Sequence, residues 1–138
     1  MATRLNPYLT FNGNAREALE TYQRIFGGEL AISTFGEYGA PDADIADKVM
    51  HGQLETEAGY TLMVSDNPPG VDFTPGNTIT VSLSGDDADD LRRYWDGLSA
   101  DGTVTVPLEK QMWGDEFGQC IDRFGVGWLV NIGSPPVQ

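Results

Sequence analysis

The sequence has little basic charge. Only eight Lys and Arg stand against 21 Asp and Glu, which gives a formal net charge of −13 over 138 residues. A general nucleic-acid-binding protein needs basic side chains to neutralise phosphates, and an anionic membrane surface repels a chain of this sign. The composition therefore predicts neither a nucleic-acid partner nor a membrane partner.

Cysteine and long apolar runs are also scarce. The single cysteine, Cys120, excludes an internal disulfide and a metal cluster made of cysteines alone. The apolar runs are too short for a membrane-spanning helix, and the N-terminal residues lack the apolar segment of a secretory signal. These absences predict a cytoplasmic protein. The 40% hydrophobic and 10% aromatic content is globular, and 17 Gly with 8 Pro favour a sheet-rich fold.

One strand-and-helix pattern occurs twice along the chain. At a constant offset of 72 residues the copies align as Thr10 with Ser82, Gly13 with Gly85, Leu19 with Leu91, Tyr22 with Tyr94 and Phe26 with Leu98. Three strands are predicted after each helix. The pattern favours an α+β fold of two βαβββ modules, about 1–70 and about 71–138, which form cupped mixed sheets within a single domain over 1–138. The alternative is a chance match of two ordinary amphipathic helices.

The predicted helices have recognisable ends. Asn14 is expected to cap the first helix, with Glu17 completing a capping box, and Asp86 or Asp87 is expected to cap the second. Gly27 and the glycine after it are expected to end the first helix with positive φ angles.

Four blocks of sequence match the pattern of a known family in the same order and over nearly the whole chain. They are Asn6–Ala18 with Phe26–Gly28, Met50–Leu54 before Leu62–Asp66, Gln111–Asp115, and Asp122–Trp128. These blocks resemble the PhnB-like branch of the vicinal oxygen chelate superfamily. The resemblance implies paired βαβββ modules of the glyoxalase/bleomycin-resistance type and a homodimer. Relatives include glyoxalase I, bleomycin-resistance proteins, fosfomycin-resistance enzymes and extradiol dioxygenases.

The resemblance also implies where a divalent metal would lie. The superfamily's enzymes hold it with His and Glu side chains from strands of both modules. The corresponding positions here are Asn6 or Tyr8, Thr80, and Leu129 or Asn131. None of these is a His or a carboxylate, so no metal ligand is predicted and a divalent metal remains only a possible cofactor.

The one histidine lies in a pattern that suggests chemistry. His51 alternates with Gln53 and Glu55 along a predicted strand, so the three side chains share one face of a sheet. Facing a ligand, His51 is a candidate general base, or one ligand of a weak metal site with Glu55. The alternative is a structural histidine that forms a hydrogen bond at a strand edge or a dimer seam.

Aromatic side chains supply the other candidate contacts. Trp113 and Phe117 lie in a stretch that resembles the family's loop between the sixth and seventh strands, which often borders the cavity. Such rings stack on planar ligands or cover cations, although they also serve simply to close the end of a module. With Tyr8, Gln53 and Thr80, they form the predicted ligand-binding set.

Two functions follow from these patterns. The first is a small-molecule-binding or sequestering protein similar to bleomycin-resistance proteins, because the metal positions are lost while aromatics such as Trp113 remain. The second is a metal-assisted lyase, isomerase or dioxygenase that uses catalytic His51 with a carboxylate such as Glu55. Methyl transfer, which several names in this branch imply, is not predicted, because the glycines at 125–127 precede a strand and open no helix. Cys120 is predicted to be buried and inert.

Overall fold

A computed structural model of the chain describes residues 3–38, 43–68 and 70–133. The helices and strands are β1 (Tyr8–Phe11), α1 (Ala15–Phe26), β2 (Glu29–Thr34), a 3-10 turn (Gly36–Tyr38), α2 (Ala43–Ala46), β3 (Val49–Glu55), β4 (Thr61–Asp66), β5 (Val81–Gly85), α3 (Ala88–Ser99), β6 (Thr103–Lys110), β7 (Glu116–Ile121) and β8 (Gly127–Ile132). Over the described ranges, no helix is both long enough and apolar enough to span a bilayer.

The chain divides into two compact units, Met1–Thr74 and Pro75–Gln138. Each unit contains one four-stranded sheet, with strand order β1-β4-β3-β2 in unit 1 and β5-β8-β7-β6 in unit 2. In each sheet the first strand runs parallel to the last, and the other neighbours are antiparallel. Two mixed sheets with one long helix each confirm the predicted fold class. That the whole chain forms a single domain stays a prediction.

The core of each unit lies between its long helix and one face of its sheet. In unit 1 it comprises Phe11, Ala15, Ala18, Leu19, Tyr22, Phe26, Val49, Leu54, Leu62 and Val64. In unit 2 it comprises Leu83, Leu91, Tyr94, Trp95, Leu98, Cys120, Trp128, Val130 and Ile132. The three apolar helix positions that define the sequence repeat are thus buried in both units, as their spacing predicts.

In each unit the long helix packs against a glycine of the third strand. A Cβ added at Gly52 would lie 2.4 Å from Leu19 Cδ1, and one added at Gly118 would lie 2.9 Å from Trp95 Cη2. These two glycines occupy equivalent strand positions, because Gly52 pairs with Val64 and Gly118 pairs with Val130. Any larger side chain there would push the helix away from the sheet.

Asn14 is the N-cap residue of α1, as predicted, but its side chain does not supply the cap. The Asn14 side chain forms no capping hydrogen bond. Instead the buried carboxylate of Asp66, at the end of β4, accepts hydrogen bonds from the backbone N–H groups of Gly13 and Ala15, each at 2.9 Å. Its second oxygen accepts from Val49 N at 2.9 Å. A residue distant in sequence therefore stabilises the helix start and ties it to β3.

The other predicted helix ends are confirmed. Asp87 caps α3 by accepting a hydrogen bond from Asp90 N at 3.4 Å. Helix α1 ends at Gly27 and Gly28, whose φ angles are 71° and 109°. These conformations strongly favour glycine.

The constant offset of 72 residues is wrong outside the helices. Strand pairing gives the equivalent positions as Tyr8 and Ser82, Gln53 and Gln119, and Met63 and Leu129. The separation is thus 74 residues in the first strand and 66 in the last two. It shrinks because residues 35–48 connect β2 to β3, whereas only residues 111–115 connect β6 to β7. The predicted match of Thr10 with Ser82 is therefore wrong.

Candidate functional site

One face of the unit 1 sheet carries most of the predicted site residues. Successive side chains of a strand point to opposite faces, and in β3 the helix-facing set includes buried Leu54. The opposite set in β3 is His51, Gln53 and Glu55. Tyr8 joins this set because it pairs with Met63, which also pairs with Gln53. We call the side chains of Tyr8, His51, Gln53, Glu55 and Thr61 the polar face of unit 1.

Tyr8 and His51 form an aromatic, hydrogen-bonded pair on this face. The Tyr8 hydroxyl lies 3.3 Å from His51 Nδ1, and the ring centroids are 5.8 Å apart with the planes inclined by 37°. Tyr8 keeps 51% of its surface exposed, whereas His51 is partly buried. The pair therefore presents an accessible ring whose position is held by a partner on a different strand.

Glu55 lies at the other end of the polar face in a network of donors. Thr61 Oγ1 donates to Glu55 Oε2 at 2.8 Å, and Gln53 Nε2 donates to Glu55 Oε1. The guanidinium of Arg4 lies 4.0 Å from Oε1. The hydrogen bond from Thr61, and then that from Gln53, holds the pKa of Glu55 below its usual value, with a smaller contribution from Arg4. Glu55 is therefore a carboxylate at neutral pH.

Thr61 was not predicted to be a partner of Glu55, although the pairing of the two strands could have indicated it. A short turn between antiparallel strands brings the residues on either side of it opposite each other, and Glu55 pairs with Thr61 across such a turn. Arg4 had no such signal, because it precedes β1 and its approach to Glu55 depends on the path of an irregular segment.

The predicted aromatic residues lie in unit 2. Phe117 is in β7, and Trp113 is in the turn at 111–115, which is closed by a 2.7 Å hydrogen bond from Gln111 N to Asp115 O. The Trp113 and Phe117 ring centroids are 6.2 Å apart, with the planes inclined by 67°. Trp113 remains 61% exposed. The two rings form one edge-to-face pair with a large accessible aromatic surface.

Thr80 does not join this aromatic pair. It is an exposed residue just before β5, beside Gly127 at the beginning of β8. Phe117 pairs with Asn131 near the other end of β8. The structure therefore groups Tyr8, His51, Gln53 and Glu55 in unit 1, and within unit 2 it pairs Trp113 with Phe117 and places Thr80 apart from that pair. The catalytic and binding roles assigned to these residues stay predictions.

The residues at the implied metal positions do not fit a divalent metal. Among the described residues, no three His, Cys, Asp or Glu side chains are grouped as metal ligands. At the implied positions, the Tyr8 hydroxyl is bonded to His51, and the Asn131 side chain donates its Nδ2 hydrogen to Asp115 at 3.1 Å. A tyrosine hydroxyl and an amide are not the imidazole and carboxylate donors that suit such a metal.

Comparison with known proteins identifies the family. A family model described as 3-demethylubiquinone-9 3-methyltransferase matches residues 3–131. The chain belongs to this family. It is the PhnB-like branch of the vicinal oxygen chelate superfamily, so the resemblance inferred from the sequence is confirmed.

Individual relatives agree with this assignment. Protein YjdN of Escherichia coli K12 is 30% identical over 139 residues, which cover 93% of this chain and 94% of that protein. The crystal structure of PA1353 from Pseudomonas aeruginosa is 36% identical, with a TM-score of 0.87 over 97% of this chain and 100% of that one. A glyoxylase/bleomycin resistance protein/dioxygenase domain from Frankia sp. EAN1pec, 14% identical, has a TM-score of 0.65 over 96% of this chain and 98% of that one, which shows the shared fold.

The glycines near Val126 occupy a hairpin turn in this PhnB-like protein. Gly125 N donates to Asp122 O at 3.0 Å, and β8 begins at Gly127. A loop that binds a nucleotide-like cofactor in a doubly wound fold leads instead from a strand into a helix. The family description is therefore no evidence that these glycines take part in methyl transfer.

Proposed function

We propose that this protein binds a small organic molecule and that the polar face of unit 1 provides the main contacts. The observation that carries the proposal is the half-exposed Tyr8 ring, held by His51 on the sheet face that α1 leaves uncovered. On the same face, Gln53 and Glu55 supply an amide and a carboxylate. Small-molecule sites combine apolar or aromatic surface with a few positioned polar groups, and this face has both.

The enzymatic alternative, a metal-assisted lyase, isomerase or dioxygenase, is not favoured. It needs a set of metal ligands around His51 and Glu55. Among the described residues, no three His, Cys, Asp or Glu side chains are grouped in a way that could hold a metal ion.

We also propose that the working form is a homodimer located in the cytoplasm. The proposal rests on the family and on the chain's composition. Native mass spectrometry of the full chain tests the dimer, which has twice the 15.0 kDa mass of one chain. A monomer at micromolar concentration would contradict it.

A ligand screen tests the proposed function. The full chain is screened against a collection of aromatic small molecules by thermal shift. The affinity of each hit for the wild type and for Tyr8→Ala is then measured by isothermal titration calorimetry. Loss of the ring should weaken binding about tenfold, as truncation of an aromatic anchor commonly does.

The matched control for that variant is Tyr60→Ala. Tyr60 is 44% exposed, similar to Tyr8, but lies just before β4 and outside the polar face. Equal weakening by both variants, or no effect of Tyr8→Ala on any hit, would contradict the assignment of the site to this face.

A further inference from the structure

We infer that the ligand of the polar face carries a positive charge that contacts Glu55, and that Arg4 is a competing internal cation at this carboxylate. This inference rests on the proposed function and deepens it by naming the chemical class of ligand: an aromatic compound with an amine or amidine group. It also gives Arg4 a role in selectivity.

The hydrogen bonds that Glu55 accepts do not neutralise its negative charge. Among the described residues, Gln53 and Thr61 donate hydrogen bonds to Glu55, and because both are neutral they leave its negative charge uncompensated. A carboxylate has about four lone-pair positions, so it can accept further bonds from a ligand. The lowered pKa of Glu55 keeps it charged as the pH falls below neutrality.

Arg4 is weakly held at this carboxylate. The closest nitrogen–oxygen distance is 4.0 Å, longer than a hydrogen bond, and the side chains of Arg4 and Glu55 are 67% and 47% exposed. Exposed pairs of this kind add little stability and lose side-chain entropy. A ligand cation that reaches hydrogen-bond distance would displace Arg4 at small cost.

The aromatic part of the ligand has a place on the same face. Tyr8 lies opposite Gln53 across β4, and Glu55 is two residues further along β3, so the backbones of Tyr8 and Glu55 are about 12 Å apart. A ring near Tyr8 and a cation at Glu55 therefore require a flexible or extended linker of several atoms. The net charge of −13 also raises the local concentration of cations and lowers that of anions.

Three probes that share one ring and linker test the charge requirement. They are 4-phenylbutylamine, 4-phenylbutan-1-ol and 4-phenylbutanoate, which are cationic, neutral and anionic at pH 7. Each is titrated into the full chain at low ionic strength, with affinities taken from chemical-shift changes. The amine should bind about fivefold more tightly than the alcohol, and the acid most weakly. Added salt should reduce the advantage of the amine.

Two substitutions should act in opposite directions. Glu55→Gln should remove the preference for the amine, whereas Arg4→Gln should tighten amine binding about threefold because a competitor is lost. Their controls, Glu20→Gln and Arg24→Gln, make the same charge changes on α1 and should leave the preference unchanged.

The outcomes separate this inference from the proposed function. If the alcohol binds as tightly as the amine and Tyr8→Ala weakens both, the face binds ligands but the charge inference is wrong. If Arg4→Gln weakens amine binding, Arg4 is part of the site and not a competitor. If none of the probes binds while aromatic hits from the screen do, the inferred ligand class is wrong. If no aromatic compound binds at all, the proposed function fails with it.

Discussion

The two units share one framework and differ on the face that the long helix leaves uncovered. The turns that join their last two strands are the same in detail. Thr56 N donates to Tyr60 O at 2.8 Å in unit 1, and Asp122 N donates to Val126 O at 2.9 Å in unit 2. In each turn the side chain of the first residue accepts a hydrogen bond from the backbone N–H of the last. The buried helix positions and this one turn are thus alike in the two units.

The uncovered faces have diverged. Strand register makes the equivalent positions His51 and Phe117, Gln53 and Gln119, Glu55 and Ile121, and Tyr8 and Ser82. Unit 1 therefore has an imidazole and a carboxylate where unit 2 has apolar side chains. Because these positions are not part of either core, they can change without loss of the fold. At these positions unit 1 is therefore the more polar of the two units.

The helix starts differ as well. Helix α1 is capped by buried Asp66 from β4, whereas α3 is capped by Asp87 next to it in sequence. A cap from a distant strand makes the helix start part of the tertiary structure. A local cap stabilises only the helix that carries it.

The largest expected effect is that of Asp66→Ala. It should lower the free energy of unfolding by about 4 kcal/mol, because the N–H groups of Gly13, Ala15 and Val49 lose a charged acceptor in a buried place. Urea unfolding followed by circular dichroism measures the change.

Asp87→Ala is the matched control for Asp66. It removes an exposed local cap and should lower the free energy of unfolding much less than Asp66→Ala does. Equal losses in the two variants would show that the tertiary anchor has no greater role than the local cap.

The next effect tests the similarity of the cores. Leu19→Ala and Leu91→Ala should each lower the free energy of unfolding by about 3 kcal/mol, because both side chains are buried against a sheet. The urea midpoints of the two variants should therefore be similar. A loss below 1 kcal/mol at either position would mean that the repeat does not reflect equivalent packing.

The third effect concerns Cys120, whose predicted burial is confirmed. Burial, and secondarily the charge of Asp122, raises the pKa of its thiol from 9.0 to about 11. Its thiolate fraction at pH 8 is then about 100-fold below that of an ordinary cysteine, and alkylation by iodoacetamide should be slower by at least that factor than in urea. Equal rates in the native and unfolded chains would contradict the burial.

The raised pKa of Cys120 also makes the stability of the protein depend on pH. A raised pKa in the folded state favours folding fully below pH 9.0, and this contribution is lost as the pH rises towards about 11. The wild-type protein should therefore lose stability over this range relative to Cys120→Ala. Parallel pH profiles of the two proteins would contradict the shift.

The smallest effect concerns the aromatic pair of unit 2. If Trp113 also contacts the ligand, Trp113→Ala should weaken binding about fivefold. The control is Met112→Ala, which changes the adjacent side chain, 99% exposed, and should leave the affinity unchanged. Calorimetry with a hit from the aromatic screen measures both. An unchanged affinity in Trp113→Ala would remove Trp113 from the site and sharpen the contrast between the units.

Most of the framework was predictable from the sequence because it follows from local periodicity. The spacing of Leu19, Tyr22 and Phe26 predicted both a helix and its buried face, and alternation in β3 placed His51, Gln53 and Glu55 together. The repeat and the resemblance then predicted two βαβββ modules, and each unit contains such a set of four strands and one long helix.

The parts that sequence could not predict depend on contacts between distant residues. The Asp66 cap and the approach of Arg4 to Glu55 each require a known three-dimensional path. The bond between Tyr8 and His51 requires the order of the strands, in which β4 lies between β1 and β3. Thr80 was grouped with the aromatic residues only by alignment, and the register separates it from Phe117.

A titration of the isotope-labelled full chain with 4-phenylbutylamine, followed by two-dimensional NMR, tests the central claim most directly. Binding at the polar face predicts that the largest shifts occur at the backbone amides of Tyr8, His51, Gln53 and Glu55, and that Tyr8→Ala weakens the affinity measured from them about tenfold. Shifts confined to unit 2, or to the residues of α1 and the sheet face that it covers, would contradict the account.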